Sequence, residues 1–295
     1  MQLSQPLFSF PKLLFCILNK KKQNLEDFQP FSVSYHQIYA NGKQLSRFQS
    51  SFGDPNSIPT FAFITAFNAS LQCLSQAPIP SSILGLIHLT SEFTINKKHN
   101  WVAPFDLTIT VTNCEQTSKG LEYVIVSEFT QYGETTLINR NTMLDKNKKY
   151  QLAEQPKPIS KTVELEKSII KSWSIKLSTA WRYAKLSGDF NPIHLHQSLA
   201  KMFGLKSVLI HGMYNASKSL KELSLQNKKV TDNLVIRLNK PCFIPNEVYL
   251  KAYVTENEFG LFSKDGEDRF LKLEINKHKQ KSPPKRTFLL NRNYD

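Results

Sequence analysis

The stretch of sequence that decides the fold runs from Tyr183 to Met213 and reads YAKLSGDFNPIHLHQSLAKMFGLKSVLIHGM. Gly188 ends a helical pattern there, because glycine accepts the left-handed turn that stops a helix. Asp189 follows at that turn, and Asn191-Pro192 forces an extended or turned backbone. His194 comes five residues after Asp189. One tight loop thus delivers a carboxylate and an imidazole, which together are a minimal acid–base pair.

The end of the same stretch, from Ile210 to Met213, predicts the start of a longer helix. Gly212 at a helix start lets a ligand approach the backbone closely. The free N–H groups and the helix dipole can hold partial negative charge there, such as a thioester carbonyl that turns into an enolate oxygen. The alternative is structural: Gly212 permits close helix packing, and Asp189 and His194 are a helix cap and its hydrogen-bonded neighbour.

The chain divides into two halves around residues 151–160, which read QLAEQPKPIS. Two prolines, few apolar residues and no periodicity predict a linker there. We therefore expect an N-terminal unit over residues 1–150, which includes an N-terminal helix over residues 1–25. A C-terminal unit is expected over residues 161–295, which ends in a basic tail.

Each half shows a long apolar helix followed by several strands. The pattern predicts an α+β fold in which each half wraps one antiparallel sheet around one helix. The helix of the first half is predicted over 58–76. The remaining predicted helices cover 178–186, 196–203 and 212–226. Predicted strands cover 32–40, 86–95, 107–112, 121–129, 135–143, 162–166, 234–238, 247–255 and 269–275.

The chain is strongly basic, with 38 lysines and arginines against 24 acidic residues and a net charge of +14. This balance favours an anionic partner, although solvated surfaces and a frayed tail would explain it equally well. A nucleic acid is not expected, because the sequence has no zinc finger, glycine-rich RNA motif or alternation of basic and aromatic residues.

The four cysteines, at positions 16, 73, 114 and 242, have neither metal-site spacing nor the density of a disulfide framework. They predict reduced thiols and a cytoplasmic location. The apolar run from Leu7 to Leu18 lacks the preceding charge and the cleavage site of a secretory signal, and it is too short to span a bilayer. We expect a packed or surface-lying helix there and no integral membrane segment, with membrane association as the lesser alternative.

The stretch from Tyr183 to Met213 closely resembles the hydratase 2 motif of the MaoC-like dehydratases, the type 2 (R-specific) enoyl-CoA hydratases. An aromatic residue is followed, after a short gap, by Ser-Gly-Asp-Phe-Asn-Pro-Ile-His and then by a small residue, Ala200. The family's His-Gly-Met follows at residues 211–213. Many specified positions in one ordered string make this resemblance specific.

The resemblance implies roles for individual residues. Asp189 and His194 would be the catalytic pair. The substrate-binding residues would be Asn191, His211, Gly212, whose N–H would polarise the thioester carbonyl, and Ser219, whose assignment is the loosest. No metal and no cofactor are expected, because the thioester itself acidifies the Cα–H.

The first half is similar to the N-terminal half of double-hotdog acyl dehydratases, through the sequence after Ile58 and through residues 84–88. It has no Asp-x-Asn-Pro-x-His: Asp54 and Asn56 are present, but no histidine follows in place. His88 is expected to be a buried strand histidine. We predict a double hotdog with one active site per chain, in which the first half shapes an acyl pocket.

The resemblance implies a hydro-lyase that interconverts trans-2-enoyl and (R)-3-hydroxyacyl thioesters in fatty-acid metabolism. The thioester would be carried by coenzyme A or by an acyl carrier protein, and the basic surface suits either anionic carrier. The alternatives are a non-catalytic acyl-thioester-binding subunit and a hotdog thioesterase. The chain is expected to be a monomeric pseudo-dimer or a homodimer.

Overall fold

The computed structural model describes residues 2–4, 10–20, 23–153, 168–254 and 257–276. The predicted strand at 162–166, most of the predicted linker and the basic tail beyond residue 276 lie outside the described residues. The described residues form six α-helices and eleven strands.

The first half contains three helices and six strands. The helices are α1 (Phe10–Leu18), α2 (Gly42–Ser51) and α3 (Thr60–Gln76). The strands are β1 (Gln2–Ser4), β2 (Phe31–Ile38), β3 (Ile87–Ile95), β4 (Phe105–Thr117), β5 (Gly120–Gln131) and β6 (Glu134–Asp145).

The second half contributes three helices and five strands. The helices are α4 (Leu177–Ser187), α5 (Gln197–Met202) and α6 (Gly212–Ser224). The strands are β7 (Ser168–Ile175), β8 (Asn233–Leu238), β9 (Asn246–Ala252), β10 (Glu258–Ser263) and β11 (Arg269–Ile275).

All the described strands form one sheet of 11, in the order β1-β2-β4-β5-β6-β3-β8-β11-β10-β9-β7. The two halves join where β3 pairs antiparallel with β8, in a register that sets Ser91 opposite Ile236. β1 pairs parallel with β2, and the other neighbouring strands are antiparallel. The predicted α+β arrangement, with a sheet around one helix in each half, is thereby confirmed.

The two central helices differ in how much of their surface is buried. α3 is apolar nearly all round and packs on β2, β4 and β5. α6 is amphipathic, and its buried Met213, Ala216 and Leu220 belong to the same hydrophobic core, which runs through both halves. The hydroxyls of Thr60 and Ser217 share a buried hydrogen bond of 2.8 Å, which joins the start of α3 to the middle of α6.

The N-terminal helix predicted over residues 1–25 needs correction. Helix α1 is confined to Phe10–Leu18, and Gln2–Ser4 forms a strand that pairs with β2. Pro11 is the second residue of this helix, which suits proline because it fits the first turn of a helix but not its interior. The strand forms because β2 otherwise offers unpaired main-chain groups at the edge of the sheet.

Other boundaries moved less, but α2, β7 and β10 were also not predicted. α2 is capped by Asn41, whose side chain accepts from the N–H groups of Lys43 and Gln44. β10 was missed because it has only six residues and one of them is a glycine. α4 begins at Leu177, one residue before the predicted start, and its N-cap is Lys176. None of the described helices is long and apolar enough to cross a membrane.

Candidate active site

The site begins where α4 ends. Gly188 has a φ of 80°, the left-handed conformation that the sequence predicted for it. The hydroxyl of Ser187 donates to the carbonyl of Tyr183 (2.9 Å) and accepts from the N–H of Asp189 (3.2 Å). Asp189 is therefore held at a fixed position directly after the helix.

The side chain of Asp189 is oriented by its own loop. Its Oδ1 accepts from the N–H of Asn191 at 3.1 Å, which leaves Oδ2 directed at the histidines described below. The side chain of Asn191 in turn accepts from the N–H of Ile193 and caps the short 3-10 turn Pro192–His194. Asn191 thus shapes the loop, and its predicted contact with the substrate stays a prediction.

His194 presents one ring nitrogen to this carboxylate. Its Nδ1 lies 3.0 Å from the carbonyl oxygen of Leu209, and because a carbonyl only accepts, Nδ1 carries the proton. In the neutral ring Nε2 then has the lone pair, and it lies 3.9 Å from Oδ2 of Asp189. Both side chains are partly open to solvent, 13% for His194 and 24% for Asp189.

His211, the N-cap residue of α6, lies against both members of the pair. Its Nε2 donates to the backbone carbonyl of Asp189 at 3.0 Å, and it lies 3.9 Å from Oδ2 of the same residue. Its ring stacks on that of His194, with centroids 3.9 Å apart and planes at 28°. Burial, and then the neighbouring His194, lower the pKa of His211 to about 3, so the ring is neutral.

Asp189, His194 and His211 also form a group whose potential metal-ligating atoms all lie within 4.8 Å of one another. The proton on Nε2 of His211 is bonded to the carbonyl of Asp189, so that nitrogen has no lone pair to offer a cation. Nδ1 of His211 is buried. The hydrogen bonds thus favour proton chemistry over metal binding, and the predicted lack of a metal stays a prediction.

Gly212 begins α6 directly after His211. None of the described residues accepts a hydrogen bond from its N–H, as is usual in the first turn of a helix. A Cβ built on Gly212 would lie 2.8 Å from Cδ1 of Leu238 on β8. Close packing is therefore one real reason for this glycine, and the predicted contact with a thioester oxygen stays a prediction.

Ser219 lies on α6, seven residues beyond Gly212 and so roughly 10 Å along the helix. Its side chain is fully buried, and among the described residues its hydroxyl has no hydrogen-bond partner. Nothing in these contacts joins Ser219 to the catalytic loop, and its predicted substrate contact stays a prediction.

The first half contributes polar groups next to this loop that the sequence did not predict. The amide of Gln44 donates to the carbonyl of Leu186 at 2.7 Å, at the end of α4. The side chain of Asn68 on α3 reaches Gly188, 3.6 Å from the position of an added Cβ. No sequence pattern predicted either contact, because neither is local in sequence.

His88 lies on β3 as expected but is only half-buried. Its Nε2 donates to the carbonyl of Thr90 (2.9 Å) and to Oδ1 of Asn141 (3.1 Å), and its ring stacks on Phe63. Burial lowers its pKa to about 4, and the charge of Asp189 acts in the opposite direction. His88 is therefore a neutral histidine in the half that lacks the motif.

The corresponding loop of the first half repeats one feature of the site. Oδ1 of Asp54 accepts from the N–H of Asn56 at 3.1 Å, the same turn that Asp189 and Asn191 form. Asp54 is exposed, and its other oxygen accepts from the hydroxyl of Ser57 instead of facing histidines. The turn is shared between the halves, whereas the acid–base pair is found in the second half.

Buried histidines predict how stability depends on pH. His99 and His211 are buried, and burial lowers the pKa of His99 to about 4 and that of His211 to about 3. Because the unfolded chain binds their protons near pH 6.5, stability is fully present above that pH and falls toward the folded-state values. As the pH falls from about 7.5 to about 5.5, we expect each of these two histidines to lower the free energy of unfolding by about 1 kcal/mol.

Urea unfolding at the two pH values measures this drop. His99→Phe keeps the aromatic packing and should remove its share of the pH dependence. The exposed His196 serves as the control, and His196→Gln should retain the full drop. An unchanged pH dependence in folded His99→Phe would contradict the assignment of a neutral buried His99.

The fold and the site together define a class of protein. In each half a sheet wraps one helix, and the two sheets join edge to edge through β3 and β8. One loop carries the acid–base pair. This is the predicted double hotdog. The crystal structure of HtdX of Mycobacterium tuberculosis superposes with a TM-score of 0.66 at 20% identity, over 82% of this chain and 97% of that one. A MaoC-like dehydratase from Phytophthora capsici gives a TM-score of 0.63 at 14% identity, over 88% of this chain and 97% of that one. Both confirm the fold.

The sequence is also similar to known proteins. Residues 151–269 match the model of the MaoC like domain. A protein of Mycobacterium tuberculosis named 3-hydroxyacyl-thioester dehydratase X is 24% identical over 208 residues, which cover 70% of this chain and 72% of the relative.

Proposed function

We propose that the protein is a hydro-lyase that interconverts trans-2-enoyl and (R)-3-hydroxyacyl thioesters, with Asp189 and His194 as its acid–base pair. One observation carries the proposal. The Nε2 lone pair of His194 and Oδ2 of Asp189 face each other at 3.9 Å on a partly open loop. A water can lie within hydrogen-bond distance of both atoms.

The chemistry needs what this pair can supply. Hydration places a hydroxyl on Cβ of the enoyl thioester and a proton on Cα, and dehydration reverses both steps. In hydration the pair orients the water, takes one of its protons as the oxygen bonds to Cβ, and delivers one proton to Cα. The N–H of Gly212 would donate a hydrogen bond to the thioester oxygen and so stabilise the negative charge that builds there. The thioester acidifies the Cα–H, so we propose no metal or cofactor.

Two finer statements belong to the same proposal. The carrier is coenzyme A or an acyl carrier protein, both of which are anionic and suit a chain of net charge +14. The protein acts in fatty-acid metabolism in the cytoplasm, as a pseudo-dimeric monomer or a homodimer. The name of the mycobacterial relative supports the reaction, and the MaoC-like domain supports the class of enzyme.

The test uses the purified protein with crotonyl-CoA and with longer enoyl-CoAs, and follows the loss of enoyl-thioester absorbance. Chiral analysis of the product should give the (R)-3-hydroxyacyl thioester. Release of free thiol without hydration would indicate a thioesterase instead. Tight binding without turnover of any chain length would indicate a non-catalytic acyl-thioester-binding subunit.

A further inference from the structure

His211 makes contacts that set it apart from the two residues beside it. Its side chain is only 3% exposed, while that of Asp189 is 24% exposed. The edge of its ring donates to the backbone carbonyl of Asp189, and its face covers the ring of His194. The ring of Tyr183 packs on it at 5.1 Å.

These contacts fix both reacting groups. The carbonyl of Asp189 accepts from His211, and its Oδ1 accepts from the N–H of Asn191. These two hydrogen bonds fix the direction in which Oδ2 points. His194 is held at Nδ1 by Leu209 and on its flat side by His211. The distance of 3.9 Å from Oδ2 of Asp189 to Nε2 of His194 depends on both restraints.

We infer that His211 is a positioning residue, which holds Asp189 and His194 in one arrangement and neither binds substrate nor transfers a proton. The inference deepens the proposed function and rests on it. It replaces the substrate contact that the sequence predicted for His211, because a side chain covered by Tyr183 and His194 has no surface left for a ligand.

Proton transfer by His211 is disfavoured on separate grounds. The proton on Nε2 is engaged by the carbonyl of Asp189, and Nδ1 is buried without a hydrogen-bond partner among the described residues. Burial also holds the pKa of His211 at about 3, so the ring stays neutral where hydration would be assayed. A neutral ring can stack on His194 in either of its protonation states.

Two substitutions separate the hydrogen bond from the stack. His211→Gln keeps an N–H donor near the position of Nε2 and loses the flat ring. His211→Phe keeps the ring and loses the donor. Each is expected to lower kcat by about 10- to 10²-fold, the effect of a misplaced reacting group, with KM little changed. The exposed His196→Gln is the matched control and should retain wild-type kcat.

A second readout does not depend on turnover. In His211→Gln, the ring-proton NMR signals of His194 should move, because the stacked ring no longer shields them. In His211→Phe those signals should stay close to their wild-type positions. Thermal melts check that each variant is folded, and His211→Gln with the NMR readout suffices if His211→Phe does not fold.

The outcomes are distinct. Wild-type kcat in both folded variants, with unmoved His194 signals in His211→Gln, would overturn the inference. A raised KM at constant kcat would make His211 a substrate contact, and loss of one limb of the pH–rate profile would make it a proton carrier. Zn²⁺-dependent activity that both variants lose would make it a metal ligand. If the wild-type protein hydrates no enoyl-CoA, the proposed function fails, while the NMR result still decides the positioning.

Discussion

Asp189→Asn is expected to lower kcat/KM for hydration by roughly 10²- to 10⁴-fold, the usual contribution of a positioned acid or base. The asparagine retains an oxygen that can accept from the N–H of Asn191, so the turn should survive. What it loses is the negative charge at Oδ2, which faces Nε2 of both His194 and His211. Steady-state kinetics with crotonyl-CoA, together with a thermal melt, measure the effect.

Asp54→Asn is the matched control for this variant. Asp54 forms the same turn with Asn56 in the first half but faces no histidine pair, so turnover should stay close to normal. A comparable loss of activity in folded Asp54→Asn would mean that the first half is catalytic. Near-full activity in folded Asp189→Asn would refute the assignment of Asp189.

His194→Ala should cost a similar factor, and the double variant tests whether the two residues act as one unit. Residues that act together give losses that do not multiply, so Asp189→Asn with His194→Ala should be little slower than the slower single variant. Fully multiplicative losses would indicate that the two groups serve independent steps. The fold should survive all three changes, because both side chains are on a partly exposed loop.

The parts of the site that depend on neighbouring residues could be predicted from the sequence. Gly188 ends α4 in a left-handed turn, Asp189 takes the next position, and Asn191-Pro192 sets the short turn that carries His194. These are local effects of glycine, asparagine and proline, so one stretch of sequence contains all the information they need.

The parts that depend on contacts distant in sequence could not be predicted. His211 reaches the carbonyl of Asp189 across 22 residues, and Gln44 reaches the end of α4 across 142. No periodicity records such a contact, because it arises only when separate elements pack together. The resemblance therefore assigned His211 to the substrate, whereas we infer from its burial and its stack on His194 that it positions the pair.

The difference between local contacts and contacts distant in sequence also explains which parts of the fold could be predicted. The apolar pattern of α3 predicted that helix to within two residues of its start, because burial on all sides leaves a continuous apolar run. The N-terminal helix was predicted too long, because pairing of Gln2–Ser4 with β2 is decided by the free edge of the sheet. The first half was expected only to shape an acyl pocket, yet Asn68 also lies beside Gly188, next to the catalytic loop.

The second large effect is expected at Gly212, where two explanations compete. A Cβ there would lie 2.8 and 2.9 Å from the two methyl carbons of Leu238, so Gly212→Val should destabilise the fold by about 1–3 kcal/mol through overpacking. If the N–H of Gly212 also binds the thioester oxygen, the branched side chain should obstruct it and lower kcat by about 10²- to 10³-fold. The single variant confounds these two effects.

Leu238→Ala removes the two methyl carbons that an added Cβ would meet, and therefore separates the effects. Gly212→Val in the Leu238→Ala background should recover melting temperature relative to Gly212→Val alone, because the steric conflict is gone. Its kcat should stay about 10²-fold or more below that of Leu238→Ala, since the N–H remains obstructed. Thermal melts and crotonyl-CoA kinetics on all four proteins complete the cycle. If kcat recovers together with stability, Gly212 serves packing alone, and the thioester oxygen must be held by another donor.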